Sequence, residues 1–114
     1  MTELARTAVG SVREIDPKEL ASMLARSAAT ALDVREPWEF QRCAIPGSVL
    51  IPLGQLLGRL GELDKAKPVV CICHTGNRSL FAAKQLAKRG FTALNLAGGI
   101  DRWARELDPG MARY

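Results

Sequence analysis

The sequence predicts an α/β domain with a mostly parallel central sheet flanked by helices. Short β-type apolar runs alternate along the chain with segments of helical periodicity, and helix start and stop signals separate them. The run over 68–73 (PVVCIC) is apolar throughout, which is typical of a parallel strand buried on both faces. The chain has 114 residues and contains no internal repeat or low-complexity linker, so we expect one domain.

The first half of the chain predicts six elements. A weak strand covers 11–15. A helix then starts, with Asp16 as its N-cap, Pro17 at the first helical position and Glu19 at the third. Apolar residues follow at helical spacing, namely Leu20, Met23, Leu24 and Ala28. Further on we expect a strand over 30–34, a short helix over 36–40, a strand over 48–51 and a short helix over 53–60.

The second half begins with the apolar run 68–73, which we expect to be the central strand. An amphipathic helix over 79–89 follows and ends before Gly90, a residue type favoured just beyond a helix. A strand over 91–96 and a helix over 100–107 complete the pattern. We therefore assign the domain to residues 11–108, with an N-terminal extension over 1–10 and a C-terminal tail over 109–114.

Composition and charge restrict the class of protein. The chain is 47% hydrophobic and 25% charged, as in ordinary soluble domains. Its net charge of +4 comes from scattered basic residues without interleaved aromatics, so we expect no nucleic-acid partner. The N-terminus lacks the apolar core of a secretion signal, and prolines and glycines interrupt the longest uncharged stretch, so we expect no membrane span. Three cysteines form no disulfide framework, which favours a reducing, cytoplasmic location.

The loop after the central strand carries the strongest chemical signal. Cys73 ends the strand, residues 74–77 (HTGN) form a tight loop, and Arg78 and Ser79 open the next helix. In open α/β sheets, ligands bind beyond the carboxyl ends of the strands. Backbone N–H groups of such a loop, at a helix N-terminus, favour an anion and therefore the thiolate form of a cysteine. The alternative is that Cys73 is a small buried core residue, but the polar, turn-competent loop favours a reactive one.

Four segments, taken together and in this order, resemble those of one known family. They are 32–40 (LDVREPWEF), 45–52 (IPGSVLIP), 73–79 (CHTGNRS) and 95–103 (NLAGGIDRW). The chain resembles the single-domain rhodaneses, a family of sulfurtransferases, over most of residues 12–107. The resemblance implies a three-layer rhodanese-like fold.

The resemblance also implies the chemistry and the site residues. Cys73 is the expected nucleophile, and its thiolate takes the outer sulfur of a small anionic donor such as thiosulfate to form a persulfide. A thiol acceptor, small or borne by a protein, or cyanide then removes that sulfur. The residues expected to hold the donor are His74, Thr75, Gly76, Asn77 and Arg78, and those expected to support the site are Asp33, Arg35 and Ser79. The alternative is a sulfur carrier without turnover or a protein-interaction module.

The number of residues between cysteine and arginine bears on a rival chemistry. Phosphatases with related folds carry one residue more, which makes room for a tetrahedral phosphate. Here four residues separate Cys73 from Arg78, which favours a cradle for a single sulfur atom. We therefore expect sulfur transfer rather than phosphatase activity, with the persulfide as the only covalent form and no organic cofactor.

Several other residues have two interpretations. His74, the single histidine, either adjusts donor preference or is an exposed loop residue. Cys71 is a resolving thiol or, more simply, a core residue, and Cys43 is structural or incidental. A zinc site built from these cysteines would require the adjacent residues 73 and 74 to bind together, so we expect no metal. Phe81 falls on the polar side of its helix, and we hypothesise that it contacts a protein acceptor.

Two charged residues at the end of the second predicted strand need partners. Asp33 ends a buried strand, so its charge requires a nearby donor, and Arg35 and the loop backbone are the two candidates. We expect Asp33 to be a scaffold residue beside the site, because a preformed thiolate requires no general base. Arg35 and Glu36 are likewise expected to form structural ion pairs.

Overall fold

The computed structural model describes residues 12–114. The predicted N-terminal extension over 1–10, and Ser11 at the start of the first predicted strand, lie outside the described residues. The strands are β1 (Arg13–Ile15), β2 (Thr30–Asp33), β3 (Val49–Leu50), β4 (Val69–Ile72) and β5 (Ala93–Leu96). The helices are α1 (Pro17–Ala25), α2 (Pro37–Arg42), α3 (Asn77–Lys88) and α4 (Gly99–Leu107), with a 3₁₀ helix (Leu53–Glu62) between β3 and β4.

The strands of the described residues form one parallel sheet in the order β1-β5-β4-β2-β3. This confirms the predicted α/β class and places the apolar run at the centre of the sheet. All four residues of β4 are buried. Val69 and Cys71 belong to the core on one side of the sheet, and Val70 and Ile72 belong to the core on the other. The continuous apolar run therefore reflects burial on both faces.

Helices cover both faces and give three layers. Buried residues of α3 and of the 3₁₀ helix, including Leu86 and Leu56, fill the core on one face. Leu20 of α1, together with Ile100 and Trp103 of α4, fills the core on the opposite face. The helix periodicity that the sequence shows is thus used to bury one stripe of each helix against the sheet.

Two helix boundaries illustrate where local signals succeed and where they fail. The predicted start of α1 is confirmed, because the Asp16 side chain accepts a hydrogen bond from the Glu19 N–H at 2.8 Å. The expectation that Ala28 continues this helix is wrong. The helix ends at Ala25 because the chain turns at Ser27, whose φ is 53°. A serine in this left-handed region gives no strong signal in the sequence.

The sheet topology brings three loops to one edge. Strands β2, β4 and β5 are neighbours and parallel, so their carboxyl ends point the same way. Asp33 pairs in register with Ile72, which places the loop after β2 beside Cys73. The turn after β5 leads directly into α4 at the same edge. This edge is where the residues predicted to form a site come together.

Candidate active site

The Cys73 sulfur lies at the amino end of α3. The backbone N–H of Gly76 points at Sγ with a nitrogen–sulfur distance of 3.1 Å, and the Ser79 hydroxyl oxygen lies 3.3 Å from Sγ. Gly76 is the N-cap of α3 and has a φ of 112°, a conformation that glycine adopts without strain. Cys73 itself is 1% exposed. A negative charge on this sulfur would be stabilised by the two donors and by the helix N-terminus in surroundings with little water.

A buried polar chain continues from the sulfur into the sheet. The Ser79 oxygen lies 2.6 Å from Oδ1 of Asn95, in the middle of β5. The side-chain amide nitrogen of Asn95 donates to the Gly76 carbonyl at 3.0 Å and to the Glu14 carboxylate at 3.1 Å. Ser79 and Asn95 are both completely buried. Asn95 therefore connects the loop after Cys73 to two neighbouring strands, β5 and β1.

The amino end of α4 binds the backbone of the loop that follows Cys73. The N–H of Ile100 donates to the Cys73 carbonyl at 2.9 Å, and the N–H of Asp101 donates to the His74 carbonyl at 3.1 Å. A Cβ on Gly99, whose φ is 63°, would collide with both carbonyls. Gly99 thus permits the close approach through which α4 binds the two loop carbonyls.

Arg78 is held by an acidic residue of α2. Its two terminal nitrogens each lie 2.8 Å from a different carboxylate oxygen of Glu39. The Glu39 side chain is 5% exposed, whereas that of Arg78 is 40% exposed. Glu39 also accepts from the Glu36 N–H at 2.9 Å and from the Tyr114 hydroxyl at 2.7 Å. The Arg78 guanidinium, with these further donors, lowers the pKa of Glu39 to about 2 in spite of its burial.

Asp33 and Arg35 form the completely buried ion pair that the sequence suggested. Nη2 of Arg35 lies 2.7 Å from Asp33 Oδ2, and Nε lies 2.9 Å from Oδ1. The remaining donors of the guanidinium contact the Cys43 carbonyl at 2.7 Å, the Glu39 carbonyl at 3.3 Å and the Tyr114 hydroxyl at 2.8 Å. Every charge of this pair is therefore matched inside the protein, which fits a scaffold at the base of the site.

Tyr114 connects the two ion pairs and packs on the loop. Its hydroxyl accepts from Arg35 and donates to Glu39. Its ring stacks on His74 with a centroid distance of 4.2 Å, and it meets Trp38 edge to face at 5.6 Å. Burial raises the pKa of Tyr114 to about 12, so the hydroxyl keeps its proton through the neutral range. The segment 109–114, assigned to a tail from the sequence, thus reaches the predicted site.

The three cysteines are free, and their surroundings differ. Cys71 is completely buried in β4, and this burial, with the neighbouring Cys73, raises the pKa of its thiol. Cys43 is partly exposed beside the Arg35 guanidinium, with its sulfur 3.9 Å from Nη1. Among residues 12–114, no group of three or more histidine, cysteine or acidic side chains is arranged to hold a metal ion.

The structure brings most of the predicted site residues together. Cys73, Gly76 and Ser79 meet at the sulfur, while Thr75 and Asn77 are exposed on the outer side of the loop. Phe81, hypothesised to contact an acceptor, is 56% exposed on α3.

Four residues of the site were not identified from the sequence, namely Glu39, Asn95, Gly99 and Tyr114. A polar residue within the apolar run of β5 was a usable signal for Asn95, because a buried amide requires partners. Glu39 and Gly99 stood inside motifs that were recognised as segments and not assigned individually. Nothing in the sequence around Tyr114 indicates its contacts.

Comparisons with known proteins agree with this α/β fold. A family model described as a rhodanese-like domain matches residues 16–106. A sulfurtransferase of Allochromatium vinosum is 38% identical over 96 residues, which cover 82% of this chain and 90% of that protein. A putative sulfur carrier protein of Bacillus subtilis is 42% identical over 78 residues, covering 68% of this chain but only 42% of that protein's length.

A solved structure supports the same conclusion. The crystal structure of a rhodanese-related protein from Thermoplasma volcanium superimposes with a TM-score of 0.78 at 35% identity, covering 83% of this chain and 93% of that one. The fold and the cysteine loop define a rhodanese-type α/β domain. This chain belongs to the rhodanese-like domain family, whose relatives include the sulfurtransferase and the sulfur carrier protein named above. None of the helices in the described part of the chain is long and apolar enough to cross a membrane.

Proposed function

We propose that the protein transfers sulfane sulfur through a persulfide on Cys73. The donor is thiosulfate or a persulfide, and the acceptor is a thiol, small or carried by a protein, or cyanide. The observation that carries the proposal is the position of Cys73 Sγ at the amino end of α3, within 3.1 Å of the Gly76 nitrogen and 3.3 Å of the Ser79 oxygen. These donors and the helix N-terminus favour a negatively charged sulfur, which is the reactive form.

In the first half-reaction the Cys73 thiolate attacks the outer sulfur of thiosulfate. A bond forms between Sγ and that sulfur, the sulfur–sulfur bond of thiosulfate breaks, and sulfite leaves with the bonding electron pair. The enzyme then carries a persulfide anion whose outer sulfur lies toward the loop. The short loop, with four residues between Cys73 and Arg78, has backbone donors for one such atom.

In the second half-reaction an acceptor attacks the outer sulfur. A thiolate acceptor becomes a persulfide, or cyanide becomes thiocyanate, and Cys73 returns as a thiolate. Two half-reactions through one covalent form predict ping-pong kinetics. Because all three cysteines are free thiols, we also propose that the protein works in a reducing compartment such as the cytoplasm.

The test of this proposal is the intact mass after incubation with thiosulfate. We expect the wild-type chain to gain one sulfur atom and to lose it on addition of cyanide. Cys71→Ser is the matched control, since this thiol belongs to the same strand region but is completely buried with a raised pKa. Cys71→Ser should still gain the sulfur and Cys73→Ser should not. A gain that persists in Cys73→Ser would disprove the assignment.

A second candidate is a sulfur carrier that is loaded once and turns over negligibly. The similarity to a protein named as a putative sulfur carrier favours it, although this chain spans less than half of that protein. Steady-state formation of thiocyanate from thiosulfate and cyanide separates the two candidates. Continuous turnover indicates the enzyme, whereas a single equivalent of transferred sulfur per chain indicates the carrier.

A further inference from the structure

The Ser79 hydroxyl lies between two acceptors and has one hydrogen to give. Its oxygen is 2.6 Å from Asn95 Oδ1 and 3.3 Å from Cys73 Sγ. A hydroxyl donates one hydrogen bond and can accept others. Therefore Ser79 can donate either to the asparagine or to the sulfur, but not to both at once. Both Ser79 and Asn95 are completely buried, so water does not replace the interaction that is not made.

The orientation of the Asn95 amide is fixed by its other partners. The nitrogen faces two acceptors, the Gly76 carbonyl at 3.0 Å and the Glu14 carboxylate at 3.1 Å. Turning the amide over would place its oxygen against these two acceptors and its nitrogen toward Ser79. The oxygen of Asn95 is thus held toward the serine hydroxyl.

We propose that Asn95 is a positioning residue that acts through Ser79 and controls the stability of the Cys73 thiolate; the inference rests on the proposed role of Cys73 as nucleophile. With Cys73 protonated, Ser79 donates to Asn95 and accepts the weak S–H donor. When the thiol proton leaves to solvent, the serine hydrogen turns to the negatively charged Sγ, and Asn95 Oδ1 loses its partner. Ser79 neither gains nor loses a proton in this change.

The persulfide restores the first arrangement. Its negative charge resides on the outer sulfur, and Sγ becomes a neutral sulfur with two covalent bonds. The stronger acceptor for the Ser79 hydrogen is then again the asparagine oxygen. Asn95 therefore competes for the Ser79 hydrogen with the sulfur of the free thiolate but not with that of the persulfide. The consequence is that Asn95 shifts the equilibrium of sulfur uptake toward the loaded form.

The charged and titratable groups around the sulfur are few. Arg78 and the buried Cys71 interact electrostatically with Cys73. His74 lies in the same loop. Three further groups reach the site only through another residue, namely Glu39 through Arg78, Tyr114 through His74, and Glu14 through Asn95. The variants described next keep all of these groups.

The test is a thermodynamic cycle in which Cys73 reactivity is measured as the pH profile of its alkylation by iodoacetamide. We expect Ser79→Ala to move the profile to higher pH and to slow alkylation at neutral pH by about tenfold, since the thiolate loses a donor. We expect Asn95→Ala to move the profile the opposite way, by about three- to tenfold in rate, because the hydroxyl is released to the sulfur. Ser79→Thr retains the hydroxyl and should restore a profile close to that of the wild type.

The double variant separates positioning from simple support of the loop. Asn95→Ala also removes the donor to the Gly76 carbonyl, and it does so in either background. In the Ser79→Ala background we therefore expect Asn95→Ala to change the rate by less than about twofold, because no hydroxyl remains to be released. An equal effect of Asn95→Ala in both backgrounds, or a shift to higher pH in the wild-type background, overturns the inference.

The outcome is separable from that of the proposed function. Alkylation measures the thiolate with no sulfur donor present, whereas the mass gain with thiosulfate measures sulfur uptake. Coupling between Ser79 and Asn95 without sulfur uptake would support the control of the thiolate by Asn95 and would contradict sulfur transfer from thiosulfate. Sulfur uptake without coupling would do the reverse. If Asn95→Ala does not fold, as judged by circular dichroism, Asn95→Leu keeps the buried volume and allows the same cycle.

Discussion

Glu39 and Arg78 form a bidentate ion pair that connects the amino end of α3, next to the Cys73 loop, to α2. Both carboxylate oxygens are engaged at 2.8 Å, and the carboxylate side of the pair is buried. The positive charge of Arg78 is therefore balanced inside the protein and is not free to neutralise an anionic donor by itself. We therefore expect Arg78 to act chiefly in holding the loop. Under the proposed function, the charge on a bound sulfur would then be met by the loop N–H groups.

Replacing Glu39 by glutamine tests this role. Glu39→Gln removes the negative charge that orients Arg78, and we expect the free energy of unfolding to fall by about 1–3 kcal/mol. The loss stays within this range because the partly exposed arginine regains some contact with solvent. We also expect slower sulfur uptake, because the loop is less firmly held. Urea unfolding measures the first effect and the rate of mass gain with thiosulfate the second.

The matched control for Glu39→Gln is Glu62→Gln. Glu62 forms a close ion pair with Arg59, but its side chain is 54% exposed and lies outside the site. We expect this control to lose little stability, because solvent screens an exposed ion pair, and to take up sulfur at the wild-type rate. Equal losses of stability in the two variants would contradict the special role of the Glu39–Arg78 pair.

Acid should weaken the fold through the same carboxylate. Glu39 has a pKa of about 2 in the folded protein against an ordinary value of 4.5, so folding favours its ionised form. Its contribution to stability is fully present above about pH 4.5 and is lost as the pH falls from there through about 2. Unfolding free energies measured across this window should fall more steeply for the wild type than for Glu39→Gln. Parallel curves would show that Glu39 is not the responsible group.

Much of the fold is predictable because its signals are local. The apolar run identifies β4, and the Asp16 cap with its Glu19 contact identifies the start of α1. The end of α1 was missed because it depends on one serine in a left-handed conformation, which serine adopts rarely and glycine or asparagine more often.

The site divides in the same way between local and distant contacts. Cys73, Gly76 and Ser79 are close in sequence, in the loop and the first turn of α3, and could be assigned together. Glu39 lies 39 residues before Arg78, and Tyr114 lies 79 residues after Arg35, so no pattern in a short window connects them. Such pairs are brought together by the sheet order and by packing, which the sequence specifies only through the complete fold.

Tyr114 is the single tyrosine of the chain, so its titration can be followed directly by the ultraviolet absorbance of tyrosinate. Because burial raises its pKa, we expect a midpoint near 12 rather than the value of about 10 for an exposed tyrosine.

In Tyr114→Phe the ring still stacks on His74, but Arg35 and Glu39 each lose a partner, and we expect a loss of about 1–2 kcal/mol in unfolding free energy. A midpoint near that of free tyrosine, or an unchanged stability, would show that this contact does not form in solution.

Adding one methyl group at Gly99 tests whether the support beneath the loop matters to sulfur uptake. A Cβ there would meet the carbonyls of Cys73 and His74, and the φ of 63° is itself unfavourable for alanine. We expect Gly99→Ala to destabilise the fold by at least about 2 kcal/mol and to displace the carbonyls that α4 now binds. Sulfur uptake should fall more than stability alone explains, since the Gly76 N–H that faces the sulfur belongs to the same loop.

Gly61→Ala is the matched control, because a Cβ at Gly61 meets nothing within 4 Å. If folded Gly99→Ala takes up sulfur from thiosulfate at the rate of this control, sulfur uptake does not depend on the close approach of α4 to the loop.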